Sequence, residues 1–273
     1  MAAAGFELEG ESTPVRVLVK QIWGCRGLWA MLARKDFFVR YRRASFGLLW
    51  AVVLPLLQAV VLAIVFSRVG KIHTGNINYI VFIFSGNISW NFFSTVFGAG
   101  STAIVDNAAM TAKIYFPRAL LPLVAAGSTL YGFSITVVIL LGMCIVTGVP
   151  LGVSVLLLIP AIILMIVLAE AFALVFSALH VYFRDMRFVV SAMQTVWFYV
   201  TPIIYPLSLV GKLGTFLRIN PVTGIVEMFR AATVGADPRW VASLWWTLGW
   251  TVGLLIIATL LHRRFNRVFA DLL

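Results

Sequence analysis

Residues 34–43 read RKDFFVRYRR, five basic residues and one acid in ten positions. Charge then stops: residues 46–66 contain no Asp, Glu, Lys or Arg. A helix of that length is roughly 30 Å long, the thickness of a bilayer hydrocarbon core. A basic apron in front of an uncharged span marks where a membrane starts and which side of it is cytoplasmic.

The rest of the chain follows the same pattern. Of 273 residues, 62% are hydrophobic and 11% charged, where soluble domains carry about 45–50% and about 25%. The reading is an all-α membrane protein with six transmembrane helices, at about 46–66, 79–100, 120–147, 153–179, 188–204 and 241–261. Residues 1–45 form a cytoplasmic tail and an amino-terminal interfacial amphipathic helix, and residues 262–273 a second cytoplasmic tail. With both termini inside, cytoplasmic segments hold fifteen of the 21 basic residues and outer segments six, the bias that orients membrane proteins. Topogenic charge thus accounts for the formal net charge of +11 without nucleic acid. The acidic start, with Glu7, Glu9 and Glu11 and no apolar core, is not that of a cleaved signal peptide.

Along the chain, Leu28, Met31, Leu32, Phe38 and Val39 share one arc of the amino-terminal helix, with Lys35 and Arg42 inside it. That mixture suits a helix in the headgroup layer, or one packed partly on protein. Pro55 lies inside the first span, where a proline removes a backbone bond. Asp106 is read as the cap of a short helix ended by Pro117. Residues 207–240 are read as short re-entrant helices in the outer leaflet, with Asn220 as cap and Pro221 in the first turn of one of them.

Chemistry-bearing residues are few. Cys25 and Cys144 imply no disulfide framework, and His73, His180 and His262 lack metal-ligand spacing. No nucleophile elbow, convergent carboxylate pair or P-loop is present; Asp36, Asp106 and Asp185 each sit beside basic residues. Catalysis is therefore poorly supported, and if the chain served ATP-powered transport, a separate subunit would have to supply the ATPase. The polar centre of the second span supplies Asn87 and Asn91, and aromatics cluster in the second and fifth spans around Trp90, Trp197 and Tyr199. Amide and aromatic groups suit a path for sugars, while lipid contact and helix–helix glue explain them equally well. Glu170 is the one acid inside a span. It is either a group on the translocation path or a structural hydrogen-bonding acid, because an intramembrane carboxylate is costly unless paired or wet.

The motifs occur in an order that resembles a family. FVRYRRASFGLLW at 38–50 followed by Pro55, KIYFPR at 113–118, VYFRD at 181–185, TPIIYP at 201–206 and NPVTGIVEMFR at 220–230 together resemble ABC-type polysaccharide and polyol-phosphate export permeases, which include the O-antigen and wall teichoic acid exporters. The resemblance runs over about residues 30–265 and implies a six-span permease that pairs with itself. Two ATP-binding cassette subunits would dock beneath it, carrying ATP and Mg while this chain binds no cofactor. It implies docking through Lys113, Tyr115, Arg118, Tyr182, Arg184 and Asp185, and attraction of an isoprenoid diphosphate-linked glycan by Arg40, Arg42 and Arg43. It also implies an outer gate around Tyr205, Asn220, Glu227 and Arg230. Gly224 departs from the family pattern of a larger residue or proline and is expected to loosen that helix start. The implied setting is the inner membrane of a bacterium, within membrane lipid. The alternatives are a permease of the same architecture exporting a drug or other lipid, or a membrane-embedded glycosyl- or acyltransferase.

Overall fold

In hydrocarbon every backbone amide must find its partner inside the chain, so long uncharged runs close into helices. The computed structural model is all-helical in its regular structure, with no strand among its described residues, 15–42, 45–68, 78–111, 116–235 and 240–265. Two helices, α1 (Val15–Gly24) and α2 (Arg26–Tyr41), precede α3 (Trp50–Arg68), which continues through Pro55. Then come α4 (Tyr79–Asp106), the single turn α5 (Ala108–Thr111), α6 (Leu120–Val146) and α7 (Leu158–Tyr182). The chain closes with α8 (Met186–Val200), α9 (Leu213–Leu217), α10 (Pro221–Ala232) and α11 (Trp240–Phe265).

Among the described residues, five stretches are long and apolar enough to cross a membrane: Gly47–Phe66, Tyr79–Asp106, Leu120–Val146, Val153–Tyr182 and Trp240–Arg263. The stretch expected at 188–204 differs, because α8 is a helix of 15 residues, about 22 Å by helical rise. Its ends are nevertheless fixed at both ends of α4. Arg187 in its first turn meets Asp106 at 3.2 Å. At the other end, Tyr79 donates its hydroxyl to the Ile204 carbonyl at 2.7 Å. Residues 186–204 thus run antiparallel along all of α4, first as helix and then as the buried, non-helical 201–204.

Helix α4 is the axis of the fold, packed on by α3, α6, α7, α8 and α10. Small residues set the closest approach: a Cβ added at Gly100 would lie 2.6 Å from that of Ala173 on α7. By contrast α3 leaves Leu54, Leu57, Val61 and Ile64 exposed, and α8 buries only Val190. Such apolar outer faces belong in lipid or against protein.

Two sequence readings change on the structure. The Leu28, Met31, Leu32, Phe38 and Val39 arc of α2 divides: Met31, Phe38 and Val39 are exposed, whereas Leu32 is buried beside Ala33 and Phe37, joined by Trp29, whose indole N–H donates to the Leu123 carbonyl at 2.8 Å. This face lies on α6 because Gly127 has no side chain: a Cβ there would come within 2.7 Å of Trp29 and 2.8 Å of Ala33. Gly127→Leu is therefore expected to lift α2 off α6 at an overpacking cost of about 1–3 kcal/mol. Faster tryptic cleavage at Arg26, Arg34 and Lys35 with a red-shifted Trp29 emission is the readout. Unchanged cleavage would show that α2 is not seated on α6. Secondly, Asp106 does not start a helix; it is the last residue of α4, with Asn107 as its carboxyl-terminal cap.

Candidate functional site

The Tyr79 end of α4 meets the short helices at a buried ion pair. Asn220 caps α10 with its side-chain oxygen on the Val222 amide at 3.0 Å, which satisfies one of the amides a helix start leaves free. The same Asn220 oxygen accepts from the Trp197 indole at 2.9 Å, and its amide donates to Thr201 Oγ1 at 3.0 Å. One side chain thereby ties α10 to the end of α8. Three residues apart on α10, Glu227 and Arg230 share one face, and that face points inward. They pair at 2.8 Å with side chains 2% and 1% exposed. Arg230 also donates to the Ile203 carbonyl at 2.8 Å, and its guanidinium lies 3.7 Å from the centre of the Phe82 ring.

Burial lowers the Arg230 pKa from its ordinary value, and the Glu227 carboxylate acts in the opposite sense. Burial likewise raises the Tyr205 phenol, with Arg230 opposing it; the Tyr205 hydroxyl donates to the Tyr199 carbonyl at 3.1 Å. The four residues expected at an outer gate thus lie along one seam between α10, the 201–206 turn and α4. Glu227 and Arg230 hold that seam from inside and present no charge at a surface of the chain.

The residues expected along a path are spread between the interior and the surface of the chain. Asn87, Trp90 and Glu170 are buried, whereas Tyr199 is 62% exposed. Trp90 and Trp197 belong to an interior aromatic stack in which Phe93, Phe97 and Phe172 pack mostly edge to face between α4, α7 and α8, the arrangement aromatic quadrupoles favour. Glu170 sits on α7 facing α6, 5% exposed, and neither carboxyl oxygen has a hydrogen-bond partner among the described residues. Asn87 and Asn91 instead turn toward α3, where both amides donate to Gln58 Oε1 at 3.4 and 3.3 Å.

At the other end of the bundle, Arg40 and Arg42 are exposed. Arg43, Lys113 and Tyr115 lie outside the described residues. Arg118 and Tyr182 are half-buried, while Arg184 and Asp185 are exposed in the turn between α7 and α8. The Asp106–Arg187 pair, each about half exposed, closes this end. Sequence reasoning missed Phe82, Tyr79 and Gln58. Only Gln58 left a signal, as the one amide in an otherwise apolar span.

Comparison with known proteins agrees with this architecture. The ABC-2 type transporter family matches residues 27–234. An O-antigen export system permease protein of Myxococcus xanthus is 29% identical over 217 residues, covering 78% of this chain and 83% of that one. Two O-antigen export system permease proteins of Klebsiella pneumoniae are each 28% identical over 205 residues, covering 74% of this chain and 78% of theirs. With five apolar helices of spanning length among the described residues and a family match over most of its length, the chain belongs to the ABC-2 type transporter family, as a multi-pass membrane transport subunit that pairs with ATP-binding subunits and not as an enzyme.

Proposed function

We propose that this chain is the permease of an ATP-driven exporter that moves a lipid-linked polysaccharide, of the O-antigen or teichoic-acid kind, outward across the inner membrane of a bacterium. The observation that carries this reading is the similarity to O-antigen export permeases, which extends over three-quarters of the chain. In this reading residues 186–204 count as one of six crossings and both termini are cytoplasmic. Residues 207–235 form a short helical cap at the outer surface. Two copies of the chain enclose the path, their apolar α3 and α8 faces supplying the contact. Two ATP-binding subunits, which carry ATP and Mg, dock at Arg118, Tyr182, Arg184 and Asp185 together with Lys113 and Tyr115. Arg40, Arg42 and Arg43 draw the diphosphate of an isoprenoid-linked glycan to the cytoplasmic face, where guanidinium groups suit phosphate oxygens.

The test is ATPase activity of the chain reconstituted in lipid with its ATP-binding partner, with and without isoprenoid diphosphate-linked glycan. Stimulation by the glycan lipid is expected, and Arg42→Glu should weaken it. A complex indifferent to the glycan lipid but stimulated by amphiphilic drugs would assign a different cargo.

A further inference from the structure

A cavity of about 220 Å³ opens between α2, α3, α4 and α6, apart from the outer seam. Phe37 of α2 and Ala51 of α3 meet at Gly132 of α6. Gln58 lies two turns beyond Ala51 along α3, about 10 Å by helical rise. The groove is open at the exposed Arg40 and Gln58, and its lining is unusually polar for an apolar bundle. Arg40, Gln58, Asn91, Thr95, Thr129 and Thr136 all border it, beside the aromatic side chains of Trp50 and Phe92.

The hydrogen-bonding state of these groups defines what fits. Thr129 and Thr136 donate their hydroxyls to their own helix, to the Ala125 and Phe133 carbonyls at 2.7 and 2.8 Å. Their oxygens therefore remain acceptors toward the cavity. Gln58 Oε1 takes two amide donors, and the Gln58 N–H₂ group makes no bond among the described residues. Behind it, Asn87 is fully buried with its Oδ1 unpartnered among the described residues. Arg40 makes no ion pair among the described residues. An acyl chain would leave these donors and acceptors unmatched, which is costly where water is scarce. A ring bearing several hydroxyls next to one anionic group would satisfy them.

We infer that this groove is a binding subsite for a sugar or polyol unit attached to a phosphate. Arg40 takes the phosphate, the Gln58, Asn91, Thr95 and Thr129 side chains take hydroxyls, and Trp50 and Phe92 cover the ring faces. The inference rests on the export reading and deepens it. It places recognition of the first unit after the diphosphate within one copy of the chain.

The test uses the full chain with its ATP-binding partner in phosphatidylcholine nanodiscs. The probes are farnesyl diphosphate and farnesyl diphosphate bearing one N-acetylglucosamine. The sugar-bearing probe is expected to bind about tenfold tighter, the worth of one to two net hydrogen bonds. Gln58→Leu and Thr129→Leu should erase that preference while leaving the sugar-free probe unchanged. Arg40→Gln should weaken both probes alike. The Thr129 hydroxyl bonds only to its own helix, so its leucine variant fills the groove without stranding a buried partner, and an unchanged unfolding temperature will confirm that it folds. If both leucine variants keep the wild-type preference while glycan lipid still stimulates the ATPase, the groove assignment falls and the export reading stands. Displacement of both probes by phosphatidylglycerol would make the groove a lipid headgroup site and overturn the assignment. If the wild-type complex binds neither probe, both readings fall.

Discussion

Glu227→Ala is expected to lower the stability of the chain by about 3–5 kcal/mol, because it strands a buried charge. Arg230 is 1% exposed, and its charged partner is the Glu227 carboxylate at 2.8 Å. After the substitution its guanidinium keeps the Ile203 carbonyl and the Phe82 ring, neither of which carries the opposite charge. Replacing both partners, Glu227→Leu with Arg230→Met, should recover most of the loss, since similar apolar volume then fills the site with no charge to desolvate. Thermal unfolding of the four purified proteins in one detergent gives the cycle. The exposed pair supplies the contrast. Asp106→Ala breaks a bridge between groups that are each about half exposed, and should cost no more than about 1 kcal/mol, less at high salt. If Glu227→Ala behaves like Asp106→Ala, the seam does not depend on its ion pair.

That contrast also marks what the sequence made legible. The spacing of Glu227 and Arg230 announced a pair one turn apart, and Asn220–Pro221 announced a helix start, because both signals are local. Nothing local distinguishes a pair at a surface from one sealed beneath α4; that depends on Phe82, 148 residues before Arg230 in the chain. Residues 46–66 were legible as a span because hydrocarbon leaves one answer for an uncharged run of that length. Residues 186–204 were harder, since helix gives way to an irregular end whose course is fixed by the distant Tyr79 hydroxyl. The part of α2 that packs on α6 was only partly legible for a related reason. Ala33 weighs little in any hydrophobic arc, yet opposite Gly127 it marks the closest approach of two helices. The amides of Asn87 and Asn91 were visible as a polar patch, but only the fold reveals that they converge on Gln58.

Gly224→Val should displace α10 from α11 and destabilise the chain by about 3 kcal/mol or more, combining overpacking with a lost buried hydrogen bond. The sequence suggested that glycine here loosens the start of α10. The structure gives it the opposite role. A Cβ at Gly224 would collide with Thr247 Oγ1 and stand 2.7 Å from the Ser243 carbonyl oxygen, and backbone of a long helix cannot step aside. Thr247 also donates its hydroxyl to the Pro221 carbonyl at 2.7 Å, so the collision strikes the bond that seats the first turn of α10. Gly249→Ala is the matched control on α11, where nothing lies within 4 Å of the added methyl. There the better helix former should leave stability unchanged or raise it by up to about 1 kcal/mol. Two glycine substitutions 25 residues apart are thus expected to differ in sign. A buried reporter reads the cause directly: Thr223→Cys, at a position with no exposure, should resist thiol reagent in the Gly249→Ala background and react in the Gly224→Val background. Equal protection in both would mean that α10 is not wedged against α11. The ion pair would then have to hold the seam between α10 and α4 without that support, and Glu227→Ala should prove the more damaging substitution of the two.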